Sequence, residues 1–165
     1  MNYAKIKPVD VANGTGVRVS LFVSGCSHRC KGCFNPELWN YNAGREFDDI
    51  DMAQIFDMCD KPYIRGLTLL GGEPLDPKNV PTVTYLARMF KYKFPNKDLW
   101  CYTGYDIMDV YDLEIIKHID VLVDGEFIEE LKDPRLRFRG SSNQRIIDVK
   151  KTLRCGRICL RSDLM

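Results

Sequence analysis

The chain has 165 residues, 45% of them hydrophobic and 28% charged, with a net charge of +1. That length suits a single domain over residues 1–165, and the near-neutral balance excludes a global field that would draw in nucleic acid or a membrane surface. No apolar run reaches the roughly 20 residues of a bilayer span, and residues 1–16 lack the apolar centre of a secretory leader, so a cytoplasmic setting is expected. Residues 17–23, VRVSLFV between glycines, read as a strand that runs into a cysteine cluster. Residues 49–59 place Ile55, Phe56 and Cys59 on one helical face. A short buried strand over 66–70 stops at Gly71-Gly72. Residues 79–94 form a helix, with Pro81 in its first turn and Val83, Leu86, Met89 and Phe90 on one face. A strand over 98–102 closes at Thr103-Gly104. A helix is expected over 107–119, with Val110, Leu113 and Ile116 inward. Strands follow at 121–123, ending at Asp124-Gly125, and at 146–149.

Strands alternate with helices, and the turn residues fall at strand C-termini. That is the pattern of a parallel α/β sheet, and such sheets place active sites at those ends. Four segments should therefore share one rim: the cysteine loop, Gly71 to Pro74, Tyr102 to Gly104, and Asp124 to Glu126. A full eight-unit barrel typically needs ~250 residues, so a partial, open (β/α) barrel of about five or six mainly parallel strands fits better.

Seven cysteines without a leader argue against a disulfide framework and towards metal or redox chemistry. Cys26, Cys30 and Cys33 share one loop. A structural zinc site wants four ligands, and no second pair follows closely. Cys59 and Cys101 fall on core positions. Three thiolates on one loop suit a cubane iron–sulfur cluster with one iron left open; zinc with a remote fourth ligand and free thiols are the other readings. His28 lies within the loop, as a ligand, a tuning donor or a solvent-facing residue. Gly71-Gly72-Glu73-Pro74 alone would be an ordinary turn after a strand. The stretch 150–165 carries Lys150, Lys151, Arg154, Arg157 and Arg161 around Cys155 and Cys159. It reads as a basic tail with no assigned role, a docking face or a redox pair being the options.

Cys26-x-x-x-Cys30-x-x-Cys33 after one strand, followed by Gly71-Gly72-Glu73-Pro74 after the next, resembles the radical S-adenosylmethionine superfamily. The leader from Asn13 to Arg18 and the run Cys33-Phe34-Asn35 resemble the activating enzymes of glycyl radical enzymes. Tyr102-Thr103-Gly104-Tyr105, the run Val123 to Phe127 and the run Arg139 to Arg145 are most similar to the branch serving anaerobic ribonucleotide reductase.

The resemblance implies a radical S-adenosylmethionine core. It implies a [4Fe-4S] cluster on Cys26, Cys30 and Cys33, with S-adenosylmethionine bound at the open iron. One electron would cleave the cofactor to methionine and a 5′-deoxyadenosyl radical, which takes hydrogen from a glycine of the reductase large subunit. Gly71, Gly72, Glu73 and Pro74 would meet the methionine moiety, with Thr103 and Asp124 near its carboxylate. Gly32 stands where many relatives carry an aromatic residue, which makes Phe34 the candidate adenine contact. A flavodoxin is the implied electron donor. The alternatives are another small radical enzyme acting on a metabolite, and a zinc-stabilised binding module without catalysis.

Overall fold

The computed structural model describes residues 1–165 and contains one seven-stranded sheet. Its strands are β1 (Asn2–Asp10), β2 (Val17–Val23), β3 (Arg45–Glu46), β4 (Ile64–Gly71), β5 (Asp98–Tyr102), β6 (Val121–Asp124) and β7 (Arg145–Asp148). They lie in the order β3-β1-β2-β4-β5-β6-β7, and the sheet does not close. The pairs β2/β4, β4/β5 and β5/β6 are parallel, which is the expected core of the fold. The sheet is nevertheless mixed: β1/β2, β1/β3 and β6/β7 are antiparallel. The expectation of five or six mainly parallel strands is corrected to four parallel strands flanked by antiparallel ones. No helix is long and apolar enough to cross a membrane.

The side-chain period of two assigns each strand two faces. Val19, Leu21 and Val23, Leu67 and Leu69, Leu99 and Cys101, Leu122 and Ile147 form one of them and join the main core. The helices α1 (Asp49–Cys59) and α2 (Val80–Lys93) cover it with Ile55, Phe56 and Cys59, and with Val83, Leu86, Ala87 and Phe90. Helix α1 begins with a capping box between Asp48 and Asp51.

The expected helix over 107–119 is two pieces. Helix α3 spans only Ile107–Val110, and a 3-10 turn follows at Glu114–Lys117. Extended backbone at Leu113 resets the phase, so that adjacent Ile115 and Ile116 are both buried along with Ile119. One continuous helix could not turn that set inward together with Ile107 and Val110. The last strand is also shifted: β7 ends at Asp148, and Val149 opens α4 (Val149–Cys155).

The opposite face holds Arg18, Ser20 and Phe22, Thr68 and Leu70, and Trp100 and Tyr102, in register across β2, β4 and β5. Arg18 is fully buried there. Its guanidinium pairs with Asp98 at 2.6 Å, donates to Thr68 Oγ1 at 2.7 Å and lies 5.3 Å from the Trp100 ring. The leader roofs it: Thr15 carbonyl accepts from Arg18, and Asn13 carbonyl from the Thr68 hydroxyl. A side chain at Gly14, whose φ is +128°, would stand 2.8 Å from Arg18. The glycines of this leader thus serve packing.

Asp10 anchors the start of that roof. Fully buried, it accepts from Asn13 Nδ2 and Ser20 Oγ at 2.7 Å each, and from Ala12 N at 2.9 Å. Burial pushes its pKa up, but bonds from Asn13, Ser20, Ala12 and Lys7 outweigh that and bring it from 3.8 down to about 2. The folded value lies below the ordinary one. The carboxylate therefore stabilises the fold above that ordinary value, and its contribution disappears as pH falls from about 4 to about 2. Asp10→Asn is expected to flatten this part of the acid arm of stability, read by urea unfolding across that window. An unchanged slope would assign the acid sensitivity to another group.

The basic stretch 150–165 is folded rather than loose. Helix α4 ends at Gly156, in the left-handed region at φ 65°. The chain then returns along β7, with Asp148 N donating to Cys159 O and Arg161 N to Ile146 O. Lys150 pairs with Asp120 at 2.6 Å, and Leu164 packs against the Trp100 cluster.

Candidate metal centre and cofactor cavity

The parallel strands β2, β4, β5 and β6 all end on one rim, and the expected segments meet there. Cys26, Cys30 and Cys33 line a cavity of about 560 Å³ together with Phe34, Gly71, Gly72, Glu73 and Thr103. Its volume is that of a small-molecule site.

Two residues in left-handed backbone shape the cysteine loop. Arg29 and Gly32 adopt φ of 53° and 72°, which turns the loop back on itself. Gly25 N donates to Leu38 O, and Cys26 N to Trp39 O. All three thiols are free and half-buried. Burial raises the pKa of Cys26; burial and the nearby Glu126 carboxylate push Cys30 up to about 11. Without a metal Cys26 and Cys30 are thiols at neutral pH. A bound cation removes that cost, because coordination deprotonates a thiol.

Cys26, Cys30 and Cys33 offer three thiols from one loop, where a structural zinc takes four ligands. The donor set instead fits a group with several metal atoms, each thiolate on its own iron. No fourth cysteine joins the cavity: Cys59 and Cys101 are buried in the helix-side core, as expected, and Cys155 and Cys159 lie at the far C-terminal return.

Glu73 organises the rim. It is 1% exposed, and its carboxylate has four partners from three segments. Oε1 accepts from Leu75 N and Thr103 Oγ1, each at 2.8 Å. Oε2 accepts from Gly104 N at 2.7 Å and faces His28 Nε2 at 3.1 Å. Its backbone carbonyl accepts from Asn79 Nδ2 at 2.9 Å. Gly71 and Gly72 face the chain itself: a Cβ on Gly71 would lie 2.7 Å from Val23 N, and one on Gly72 2.5 Å from Gly25 O. The two glycines let the turn after β4 press against the cysteine loop.

His28 is no solvent-facing residue. Its side chain is 16% exposed, and its ring stacks edge-on to Tyr105 with centroids 4.5 Å apart. The contact with Glu73 raises its pKa, against the opposing effect of burial. A side chain on Gly104 would collide with its ring. His28 therefore ties the cysteine loop to the turn after β5.

Two expected site residues lie behind the wall. Pro74 is buried outside the cavity lining. Asp124 is fully buried, accepts from Ile107 N at 2.9 Å and is paired with Arg145. Thr103 lines the cavity, but its hydroxyl proton goes to Glu73. Phe34 stands at the mouth, 60% exposed and 5.1 Å from Phe127.

The loop between β6 and β7, residues 125–144, was not foreseen as a wall. Phe127, Lys132, Phe138, Arg139 and Gln144 line the cavity from it. Gln144 knits it, accepting from Gly140 N and Ser141 N while donating to Gly125 O. Glu129 pairs with Lys31 at 3.1 Å and occupies the space that a side chain on Gly32 would need. The left-handed backbone at Gly32, φ 72°, favours glycine there over an aromatic residue.

Comparison with known proteins agrees with this site. The model of the family described as "4Fe-4S single cluster domain" matches residues 12–147. The chain is 49% identical over 148 residues to the anaerobic ribonucleoside-triphosphate reductase-activating protein of Haemophilus influenzae, covering 87% of this chain and 96% of that one. It is 44% identical to the protein of that name from Enterobacteria phage T4, over 88% of this chain and 93% of the phage protein. The Escherichia coli K12 protein so named is also 44% identical, over 87% and 96%. Three free thiols on one rim loop, a family model for a single cluster and this degree of identity lead to one conclusion: the chain belongs to the 4Fe-4S single cluster domain family, in its anaerobic ribonucleoside-triphosphate reductase-activating branch.

Proposed function

We propose that the chain is a radical S-adenosylmethionine enzyme that activates an anaerobic ribonucleotide reductase by forming a glycyl radical on the reductase large subunit. The observation that carries this reading is the convergence of Cys26, Cys30 and Cys33 with the Gly71-Gly72-Glu73 turn on one cavity, without a fourth thiol. Cys26, Cys30 and Cys33 hold a [4Fe-4S] cluster and leave one position for the cofactor. When bound, cluster and S-adenosylmethionine supply an electron and a carbon-centred radical able to take hydrogen from a glycine.

The chain's own contribution is placement and enclosure. Glu73 locks three rim segments into one unit. Because its carboxylate is fully partnered, it shapes the Gly71 to Pro74 turn, and that turn presents backbone to the methionine moiety. Thr103 works through Glu73, and Asp124 through Arg145 and the start of α3. Phe34 and Phe127 form an apolar lip that would receive the adenine. The parallel strands β2, β4, β5 and β6 are the core of an open radical S-adenosylmethionine barrel, whose unclosed side admits a glycine-bearing loop. The electron comes from a small donor of the flavodoxin kind, and the enzyme works in the cytoplasm.

Anaerobically reduced protein, S-adenosylmethionine and the cognate reductase are expected to give an electron paramagnetic resonance doublet on the reductase, with 5′-deoxyadenosine as co-product. Rapid 5′-deoxyadenosine formation with a small metabolite and no reductase would favour a small-molecule enzyme. A colourless protein with stoichiometric zinc would sink the reading.

A further inference from the structure

Residues 148–165 lie beyond the span matched by the family model, and their last turn reaches the back of the cavity wall. Arg161 N donates to Ile146 O at 2.8 Å, and the chain then folds into a 3-10 turn over Ser162–Leu164. Arg161 grips Asp163 through two bonds of 2.9 and 2.8 Å and sets that turn in place. Leu164, 6% exposed, is thereby lodged in a cluster with Trp100, Val121, Val123 and Ile146. Two residues packed against this cluster, Tyr102 and Phe138, also line the cavity. Leu164 itself does not line it.

The wall depends on its seat at Phe138. The φ of that residue is 56°, a left-handed backbone that a bulky aromatic residue rarely adopts. Such a conformation persists only where the surroundings over-determine it. Hydrogen bonds do not supply the constraint, since the backbone of Arg137 and Phe138 makes none to other backbone. What remains is packing. The Phe138 ring stands edge-on to Trp100 with centroids 5.5 Å apart, and the Arg137 guanidinium lies 5.3 Å from the Phe138 ring. The C-terminal turn also feels this tip through charge: the Asp163 carboxyl is held below its ordinary pKa first by the bond from Arg161, and also by the charge of Arg137.

We propose that the C-terminal turn is the latch of the cavity wall. Leu164 completes the seat on which Trp100 holds the Phe138 ring, and a seated Phe138 keeps residues 132–144 in place around the cavity. Leu164 is thus a positioning residue, which shapes the cavity from behind its wall without meeting what binds there. The latch rests on this packing alone; its effect on S-adenosylmethionine rests on the function proposed above.

The test compares wild type with Leu164→Ala, Leu164→Met, Phe138→Ala and the Leu164→Ala, Phe138→Ala double variant, each as anaerobic, cluster-loaded protein. Hydrogen exchange is read by mass spectrometry. The amides of Gly140, Ser141, Ser142 and Gln144 are hydrogen-bonded within the wall. In Leu164→Ala they are expected to exchange about 10-fold faster, as a local opening, while those of β2 and α1 keep wild-type rates. S-adenosylmethionine, titrated by calorimetry, should bind about 3- to 10-fold more weakly, because only molecules with the wall in place are competent. Leu164→Met refills the seat and should restore both readouts. Phe138→Ala should release the wall by itself, so adding Leu164→Ala should speed the wall amides no further. If Leu164→Ala folds poorly, Leu164→Val trims less of the same side chain and takes its place. Wall amides that keep their wild-type rates would overturn the latch. So would a rise shared equally by β2 and α1, or additive effects of the two substitutions. Wild-type protein that binds no S-adenosylmethionine would overturn the function proposed above, and the exchange rates would still decide the latch.

Discussion

Replacing Cys26, Cys30 or Cys33 with alanine is expected to abolish iron binding and activity together. A cluster held by three thiolates has no spare ligand, and no fourth cysteine lines the cavity. His28 is committed to Glu73 and packed on Tyr105. Cys101 sits in the core on the opposite face of β5. Iron content, the visible absorption of the anaerobic protein and formation of 5′-deoxyadenosine should fall in step for each variant. Cys59→Ala provides the contrast. That thiol is fully buried against the helices, where burial pushes its pKa up to about 12 and keeps it protonated. The variant should keep its iron and lose roughly 1 kcal/mol of stability through the small cavity. Loss of iron from Cys59→Ala would place that residue at the centre after all.

Glu73→Gln is expected to cost about 3 kcal/mol of stability, a large share of what a small domain has. Oε1 accepts two hydrogen bonds, and Oε2 accepts one while facing His28 Nε2 at 3.1 Å. An amide of the same shape must point its NH₂ at one of two donor pairs. In one orientation it opposes Leu75 N and the Thr103 hydroxyl; in the other it opposes Gly104 N and His28. Either way a backbone N–H is left buried against another donor. Thr103→Val removes two bonds, the donation to Glu73 and the longer one accepted from Tyr105 N at 3.2 Å, and should cost about 1.5 kcal/mol. Urea unfolding of both variants measures the difference. A Glu73→Gln midpoint close to that of wild type would show that the network is not what joins the rim. Since the network joins the cysteine loop to the turns after β4 and β5, iron retention should also suffer in Glu73→Gln and survive in Thr103→Val.

What could be read from the sequence depended on the range of the interaction. Cys26, Cys30 and Cys33 declare themselves because ligand spacing on one loop is local. The four parallel strands do too, since a strand buried on both faces is a continuous run such as VRVSLFV. Strand β1 does not: NYAKIKPVD mixes lysines with a proline, and most of its side chains are partly or fully exposed. Its place is set by pairing with β2 and β3. Helix periodicity carried 107–119 too far because the break at Leu113 serves a tertiary demand, the joint burial of Ile115 and Ile116. Glu73 was legible as part of a motif, but its partners were not; they come from positions 28, 75, 103 and 104. Arg145 belonged to a legible run, yet its pairing with buried Asp124 comes only from the fold.

The return of the chain beside β7 has a consequence beyond stability. Strands with unpaired backbone invite copies of themselves, and an open sheet has two such borders. On one side the border is β3, two residues long and occupied by the charged, exposed Arg45 and Glu46. On the other, Cys159 and Arg161 have already taken the groups that a foreign strand would use. The C-terminal segment therefore guards an open sheet against self-association by strand addition, and keeps copies of the chain from joining through that edge.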